Sequence, residues 1–164
     1  MSAASPINIR PYRPADKEQL YALAQEFYFK YSPAETVTGD LVEFDSWRED
    51  LTEADIINEN FFKPGLTIIV AEGDGKLVGF AVGYVREKEN KRLNKEGYIA
   101  ELYVSGENRS KGIGSQLIEA IKAEFRKQDC THIGLSAFAN NTQAIKLYER
   151  MGLIEYVVVM KGRL

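Results

Sequence analysis

Helices interspersed on a mixed sheet, an α/β or α+β arrangement, are the fold class this sequence predicts, and three observations carry that prediction. Strand-like and helix-like stretches follow one another in the order β-α-α-β-β-β-α-β-α-β, which is not the strict alternation of a pure parallel sheet. Two β-rich runs meet at Gly73-Asp74-Gly75-Lys76, a hairpin signal, because Gly and Asp tolerate positive φ. The chain has 164 residues, 45% hydrophobic and 27% charged, with no internal repeat, low-complexity block or Pro/Gly linker, so residues 1–164 read as one domain with a real core.

Each element has its own reason. Residues 7–10 alternate weakly and read as a short first strand. Pro14 opens a helix in which Leu20, Leu23, Ala24, Phe27 and Tyr31 recur at helical spacing. Ser46-Trp47-Arg48-Glu49 has the form of a capping box for a second helical segment, interrupted, running to about Phe62 and ended by Pro64 and Gly65. Residues 66–72 and 77–86 are the hairpin strands; a charged stretch, 87–96, leads to a further strand at 97–104. A Gly-rich turn then opens a helix whose Ile113, Leu117, Ile118, Ile121 and Phe125 form one apolar stripe. Residues 131–138 are strand-like. A short helix at 141–151 ends at Gly152, which suits the left-handed position after a helix. Residues 153–160 are expected to close the chain as a last strand.

Composition excludes several function classes. A net charge of −3 carries no global basic footprint of the kind that holds nucleic acid. The longest apolar stretches reach about half of the ~20 residues a membrane-spanning helix needs, so no membrane partner is expected. The opening Met1-Ser2-Ala3-Ala4-Ser5 has no basic flank and no apolar core, so secretion is not expected. Cys130 is the only cysteine, which excludes an intrachain disulfide and suits a reducing cytoplasm. His132 is the only histidine, so a zinc site would need carboxylates and no metal is expected. Triad chemistry would hang on His132 alone, and its strand-like run favours a structural role.

The segment that carries chemistry is Glu101-Leu102-Tyr103-Val104-Ser105-Gly106-Glu107-Asn108-Arg109-Ser110-Lys111-Gly112-Ile113-Gly114-Ser115. A strand leads through a turn into a helix, whose first amides and positive dipole end form a natural pyrophosphate site. Gly112 and Gly114 remove the Cβ atoms that would hold a diphosphate away, and Arg109 and Lys111 add positive charge. A plain tight turn would explain the same glycines. The P-loop string is absent, and Leu117 stands where a dinucleotide fingerprint needs its third glycine.

The context narrows the reading. Arg109-Ser110-Lys111-Gly112-Ile113-Gly114 matches [QR]-x-x-G-x-[GA], and Asn141-Thr142-Gln143-Ala144-Ile145-Lys146-Leu147-Tyr148-Glu149-Arg150-Met151-Gly152-Leu153 matches N-x-x-A-x-x-L-Y-x-x-x-G-[FL]. With Leu102-Tyr103-Val104 upstream, the hairpin at 73–83 and the opening Ile9-Arg10-Pro11-Tyr12-Arg13-Pro14-Ala15-Asp16, the chain resembles the GNAT superfamily of N-acetyltransferases over nearly its whole length. Residues 30–64 are the least similar part.

That resemblance implies the GNAT acyl-CoA N-acyltransferase fold and transfer of an acetyl group from acetyl-CoA to a primary amine, with no covalent acetyl-enzyme. Backbone groups of Leu102, Tyr103 and Val104 would then pair with the pantetheine arm, whose two amides can continue a sheet. Amides of Arg109, Ser110, Lys111, Gly112, Ile113, Gly114 and Ser115 would hold the pyrophosphate. Asn141 would bond the donor, or cap its helix, roles that are compatible. Tyr148, two turns on, would protonate the departing thiolate, the alternative being a core aromatic. The amine's proton needs an acceptor, since alkylamines have a pKa of ~10.4. Glu101 is the best candidate if strand parity turns it to the thioester; a solvated or salt-bridged Glu is the alternative, and Glu96 is a weaker option.

The acceptor is a small-molecule or peptide amine. Asp40, Glu43, Asp45, Glu49, Asp50, Glu53, Asp55 and Glu59, interleaved with or adjacent to Phe27, Tyr28, Phe29, Tyr31, Trp47, Phe61 and Phe62, would wall a site for a polycationic amine such as an aminoglycoside, a polyamine or a lysine side chain. The plainer reading of the same acids is the solvated faces of two helices. Lys88, Lys91, Arg92 and Lys95 read as a solvated basic loop. A homodimer through the last strands is common in the family. A non-catalytic acyl-CoA-binding sensor module is the alternative from another class, against which Tyr148 and the intact turn argue.

Overall fold

The computed structural model describes residues 6–30, 49–162 and 164. Among them, helices α1 (Lys17–Gln25), α2 (Glu53–Phe61), α3 (Ile113–Lys127) and α4 (Thr142–Arg150) flank one five-stranded sheet. Its strands run in chain order: β1 (Asn8–Pro11), β2 (Leu66–Gly73), β3 (Lys76–Glu87), β4 (Lys95–Val104) and β5 (His132–Leu135). The first four are antiparallel neighbours, whereas β5 joins β4 in parallel. A parallel neighbour needs a crossover, and α3 supplies it.

The hairpin between β2 and β3 turns at Asp74 (φ 53°) and Gly75 (φ 74°), both left-handed, as a tight two-residue turn in a right-twisted ribbon requires. The apolar stripe read in α3 is buried throughout: Ile113, Leu117, Ile118, Ile121 and Phe125 pack on Ile69, Ala71, Ala81 and Ile99. On the opposite face Leu20, Leu23 and Ala24 of α1 and Ile57 and Phe61 of α2 pack on Val70, Phe80, Val82 and Tyr103. At about 1.5–3 kcal/mol per large apolar side chain removed from water, these two faces fix both helix layers.

Two polar devices lock the ends of the first layer. Arg10 of β1 donates to both oxygens of Asp16 at 2.7 and 2.8 Å and to Glu72 of β2 at 2.8 Å. That hydrogen bonding outweighs burial and holds the Asp16 carboxyl below its usual range. At the start of α2, the Thr52 hydroxyl accepts from the Asp55 amide at 3.2 Å while Asp55 accepts from the Thr52 amide at 2.9 Å. This is the capping box of the second helix. The box expected at Ser46 lies outside the described residues, as do Tyr31, Asp40, Glu43, Asp45, Trp47 and Arg48.

Two expectations are corrected. The strand expected at 131–138 is confined to His132–Leu135. The final strand expected at 153–160 is absent: no residue there pairs with the sheet, and Ile154, Tyr156 and Met160 are 83%, 90% and 86% exposed. The β-branched run favours an extended chain, but a strand exists only against a ladder partner, and β-propensity largely measures fit to a half-buried pleated surface. Among the described residues no helix is long and apolar enough to cross a membrane.

Candidate active site

The orientation of Glu101 follows from one extra residue. Val82 faces Glu101 across the ladder while the next residue of β3, Gly83, faces Ile99, so Ala100 is a bulge. In an unbroken strand Glu101 would follow Ile99 toward α3, because alternate side chains share a face. The bulge shifts that parity. Tyr103 packs instead with α1 and α2, Leu102 and Val104 with the α3 layer, and Glu101 reaches Tyr28 at the end of α1.

The same stretch has an open edge. β3 pairs with β4 as far as Val104, but β5 stops at the Ile99–Leu135 pair. From Ala100 onward the outer backbone edge of β4, including Leu102, Tyr103 and Val104, therefore has no strand beside it among the described residues. A 2.8 Å hydrogen bond from the Tyr98 hydroxyl to Ser136 Oγ marks where the two strands part.

Beyond Val104 the chain makes a 3-10 turn at Gly106–Asn108, where the amides of Asn108 and Arg109 donate back to Ser105 and Gly106 at 2.9 and 3.3 Å. Arg109 Nε donates to the Val104 carbonyl at 3.1 Å, and its guanidinium lies 5.7 Å from the Tyr103 ring centroid. Lys111 Nζ donates to Asn108 Oδ1 at 3.2 Å. Ser110 (φ 62°) and Gly112 (φ 76°) are both left-handed and swing the chain into α3. Gly112 is the N-cap, and no side chain among the described residues caps the helix. The first-turn amides of Ile113, Gly114 and Ser115 thus face outward at the positive end of a 15-residue helix. A Cβ on Gly112 would meet nothing within 4 Å, so the glycine answers to its backbone angle and leaves open space before those amides. A Cβ on Gly114 would come within 3.2 Å of Leu147, so that glycine also lets α4 lie close.

Asn141 caps α4, its side-chain oxygen accepting from the Ala144 amide at 3.2 Å, and Gly152 (φ 85°) follows the helix end. Leu147 and Tyr148 pack on the α3 layer. Burial, and then the charge of Glu101, push the Tyr148 hydroxyl above its ordinary range. The two groups proposed for proton transfer are therefore within electrostatic reach of each other. Burial pushes the Glu101 carboxyl up to about 7, opposed by a 2.8 Å hydrogen bond from the Tyr28 hydroxyl.

Glu96 lies on the same strand in different company. It is buried, with Arg86 Nε 3.0 Å away, Lys88 Nζ at 3.7 Å and His132 Nε2 at 3.6 Å. His132 thus belongs to a structural charge cluster, its other ring nitrogen 3.0 Å from Thr131 Oγ1. Burial raises the Cys130 thiol above its ordinary range, which disfavours the reactive thiolate. Among the described residues no group of three His, Cys, Asp or Glu side chains is placed to hold a metal ion.

The expected acceptor wall is only partly a wall. Phe61 is buried, and Phe27, Tyr28 and Phe62 pack against the same core cluster. Glu49, Asp50, Glu53 and Glu59 are exposed, and Asp55 serves the α2 cap. What the sequence reading missed is Tyr28 as the partner of Glu101, and Glu26, which accepts from the Tyr103 hydroxyl at 2.6 Å. Tyr28 follows Leu20 and Ala24 at i, i+4 spacing, which puts its ring only at the margin of the α1 stripe, and no residue signals the widened turn that brings it over the sheet.

An open strand edge that runs into an uncapped helix, with a half-buried carboxylate and a half-buried phenol close by, is the arrangement the resemblance implies. The model of the Acetyltransferase (GNAT) family matches residues 18–153. The chain belongs to the GNAT family. Among its relatives, the spermine/spermidine N(1)-acetyltransferase of Bacillus subtilis (strain 168) is 35% identical over 83 residues, covering 48% of this chain and 53% of that protein. An N-alpha-acetyltransferase of Saccharolobus solfataricus is 31% identical over 110 residues, covering 63% of this chain and 65% of that protein. The chain therefore spans about half to two thirds of the length of these relatives. The solved aminoglycoside N-acetyltransferase AAC(6')-Iy, in complex with CoA, superposes with a TM-score of 0.73 over 100% of this chain and 98% of that one. At 18% identity it shares the GNAT fold.

Proposed function

We propose that this chain is an N-acetyltransferase that moves an acetyl group from acetyl-CoA directly to a primary amine. The observation that carries this reading is the continuity of the open β4 edge with the uncapped start of α3. Pantetheine would add to the edge at Leu102, Tyr103 and Val104, as a peptide adds to a sheet. The diphosphate would sit on the amides from Ser110 through Lys111, Gly112, Ile113 and Gly114 to Ser115, with the positive charge of Arg109 and Lys111 beside it. The Asn141 side-chain oxygen caps α4, which leaves its amide nitrogen for the donor.

The chemistry follows from two environments. Glu101, titrating near 7, takes the proton of the acceptor ammonium. The freed amine nitrogen bonds to the acetyl carbonyl carbon as the carbon–sulfur bond breaks, and the electron pair leaves on sulfur. Tyr148, whose hydroxyl stays protonated through neutrality, donates a proton to that sulfur, and the second proton, lost by the nitrogen as the amide forms, passes through solvent to restore the phenol. The acceptor we favour is a polycationic amine (a polyamine, an aminoglycoside or a lysine side chain). The exposed acids Glu49, Asp50, Glu53 and Glu59 support it, as do relatives named for spermine and aminoglycosides. A peptide α-amine is the second reading, favoured by the N-alpha-acetyltransferase relatives. Two further proposals concern setting: a reducing cytoplasm, which suits the lone Cys130, and a homodimer that covers the exposed apolar residues at 154–160.

The test is calorimetric titration with acetyl-CoA alongside a thiol-release assay over spermine, an aminoglycoside, and lysine and α-amine peptides. Saturable binding that Gly112→Asp abolishes, with turnover on at least one amine, is the expected result. Binding without turnover on any amine would favour the acyl-CoA sensor, and unchanged affinity in Gly112→Asp would contradict the site.

A further inference from the structure

The end of α1 is not α-helical. Glu26–Lys30 forms a π-helical turn, a widened geometry that is rare overall and frequent at functional sites. The continuing α-helical spacing would commit Phe27 and Tyr31 to the buried stripe. The widened turn brings Tyr28 onto the sheet as well: its ring lies 4.8 Å from Phe27 and edge-on to Phe61 at 5.9 Å, and its hydroxyl donates to Glu101 Oε1 at 2.8 Å. Two irregularities, this turn and the bulge at Ala100, thus converge on one hydrogen bond that links residues 73 positions apart.

We propose that Tyr28 is a positioning residue for the acetyl-transfer reaction, holding one carboxylate oxygen of Glu101 so that the other is aimed at the acceptor's proton. The inference rests on the reading of Glu101 as the base. A base must be held in one orientation to be efficient, and this carboxylate, on a flexible stem of two methylenes, pairs with no cation among the described residues. From β3 the facing residue is Val82, from α4 the nearby titratable group is Tyr148, and on β4 itself Tyr103 turns its hydroxyl to Glu26. Burial and the Glu101 charge push the Tyr28 hydroxyl well above its ordinary range, so it remains a donor across the working pH range. Donation to the ionised form also lowers the carboxyl's proton affinity against the effect of burial.

Two readouts test this. In the intact protein, carbon-13 NMR titration of the glutamate carboxyls, with the Glu101 signal assigned by its loss in Glu101→Gln, gives the midpoint directly and needs no acceptor. Tyr28→Phe keeps the ring in its packing and removes only the hydroxyl, and should raise that midpoint by about one pH unit. An unmoved midpoint overturns the proposal. In acetyl transfer to whichever amine of the panel gives turnover, the acidic limb of kcat/KM should move up with it, with acetyl-CoA affinity held within about twofold and the rate near pH 7 down about tenfold. Placed in the Glu101→Gln background, Tyr28→Phe should cost nothing further. Equal losses in both backgrounds would mark Tyr28 as a packing residue and overturn the proposal. A midpoint that moves while the limb stays would instead remove Glu101 from the base role, and the positioning role with it.

Discussion

Glu96 and Glu101 sit on one strand, five positions apart, and both side chains point away from α3. The contrast between them locates the chemistry. Glu96 is surrounded by Arg86, Lys88 and His132, at 3.0, 3.7 and 3.6 Å, and is held in a structural ion-pair cluster. Glu101 has a phenol hydroxyl as its partner, and burial, which that hydrogen bond only partly offsets, brings its titration to about 7. Residue type is the same at both places. The neighbours make one a structural anchor and the other a group poised to move a proton.

The comparison breaks most visibly in catalysis. Glu101→Gln should lower kcat/KM by about 100- to 10,000-fold, the span of general base catalysis, measured by thiol release at pH 7.5 to 8. Retention of activity would place the base elsewhere. Tyr148→Phe, which removes the proposed donor to sulfur, should cost about ten- to a thousandfold in kcat with little change in acetyl-CoA affinity. Glu96→Gln should do the reverse of Glu101→Gln. Its kcat/KM should stay within about threefold, whereas its melting temperature should fall by roughly 3–6 °C, because Arg86 and Lys88 lose their counter-charge.

The smallest effect is the most diagnostic of environment. The folded-state pKa of Glu101 is raised, so the folded protein holds that proton more tightly than the unfolded chain does. The resulting stability is complete at low pH and is lost as pH climbs through about 7. Glu101→Gln should therefore melt at the same temperature as wild type near pH 4 and a few degrees higher at pH 8.5, read by calorimetry at both pH values. A variant that gains stability while it loses activity would show that the site is strained for its task.

Much of this was legible from residue patterns. The Asp74-Gly75 hairpin, the α3 stripe and the Gly112 turn each follow from local chemistry, since a left-handed turn or a 3.6-residue period leaves its mark in neighbouring residues. What was not legible is non-local. The bulge at Ala100 decides which face Glu101 takes, yet no residue there requires it; it emerges only from the register of β4 against β3. The π turn that places Tyr28 has the same character. The apolar run at 153–160 shows the opposite failure, where local strand preference was read as a strand without a partner to pair with.

The measurement that bears most directly on the central claim is a crystal structure with CoA bound. The account predicts pantetheine amides hydrogen-bonded along the outer edge of Leu102–Val104, the diphosphate on the amides of residues 110–115, and the thiol between Glu101 and Tyr148. CoA seated away from the β4 edge, or a thiol remote from both side chains, would contradict it.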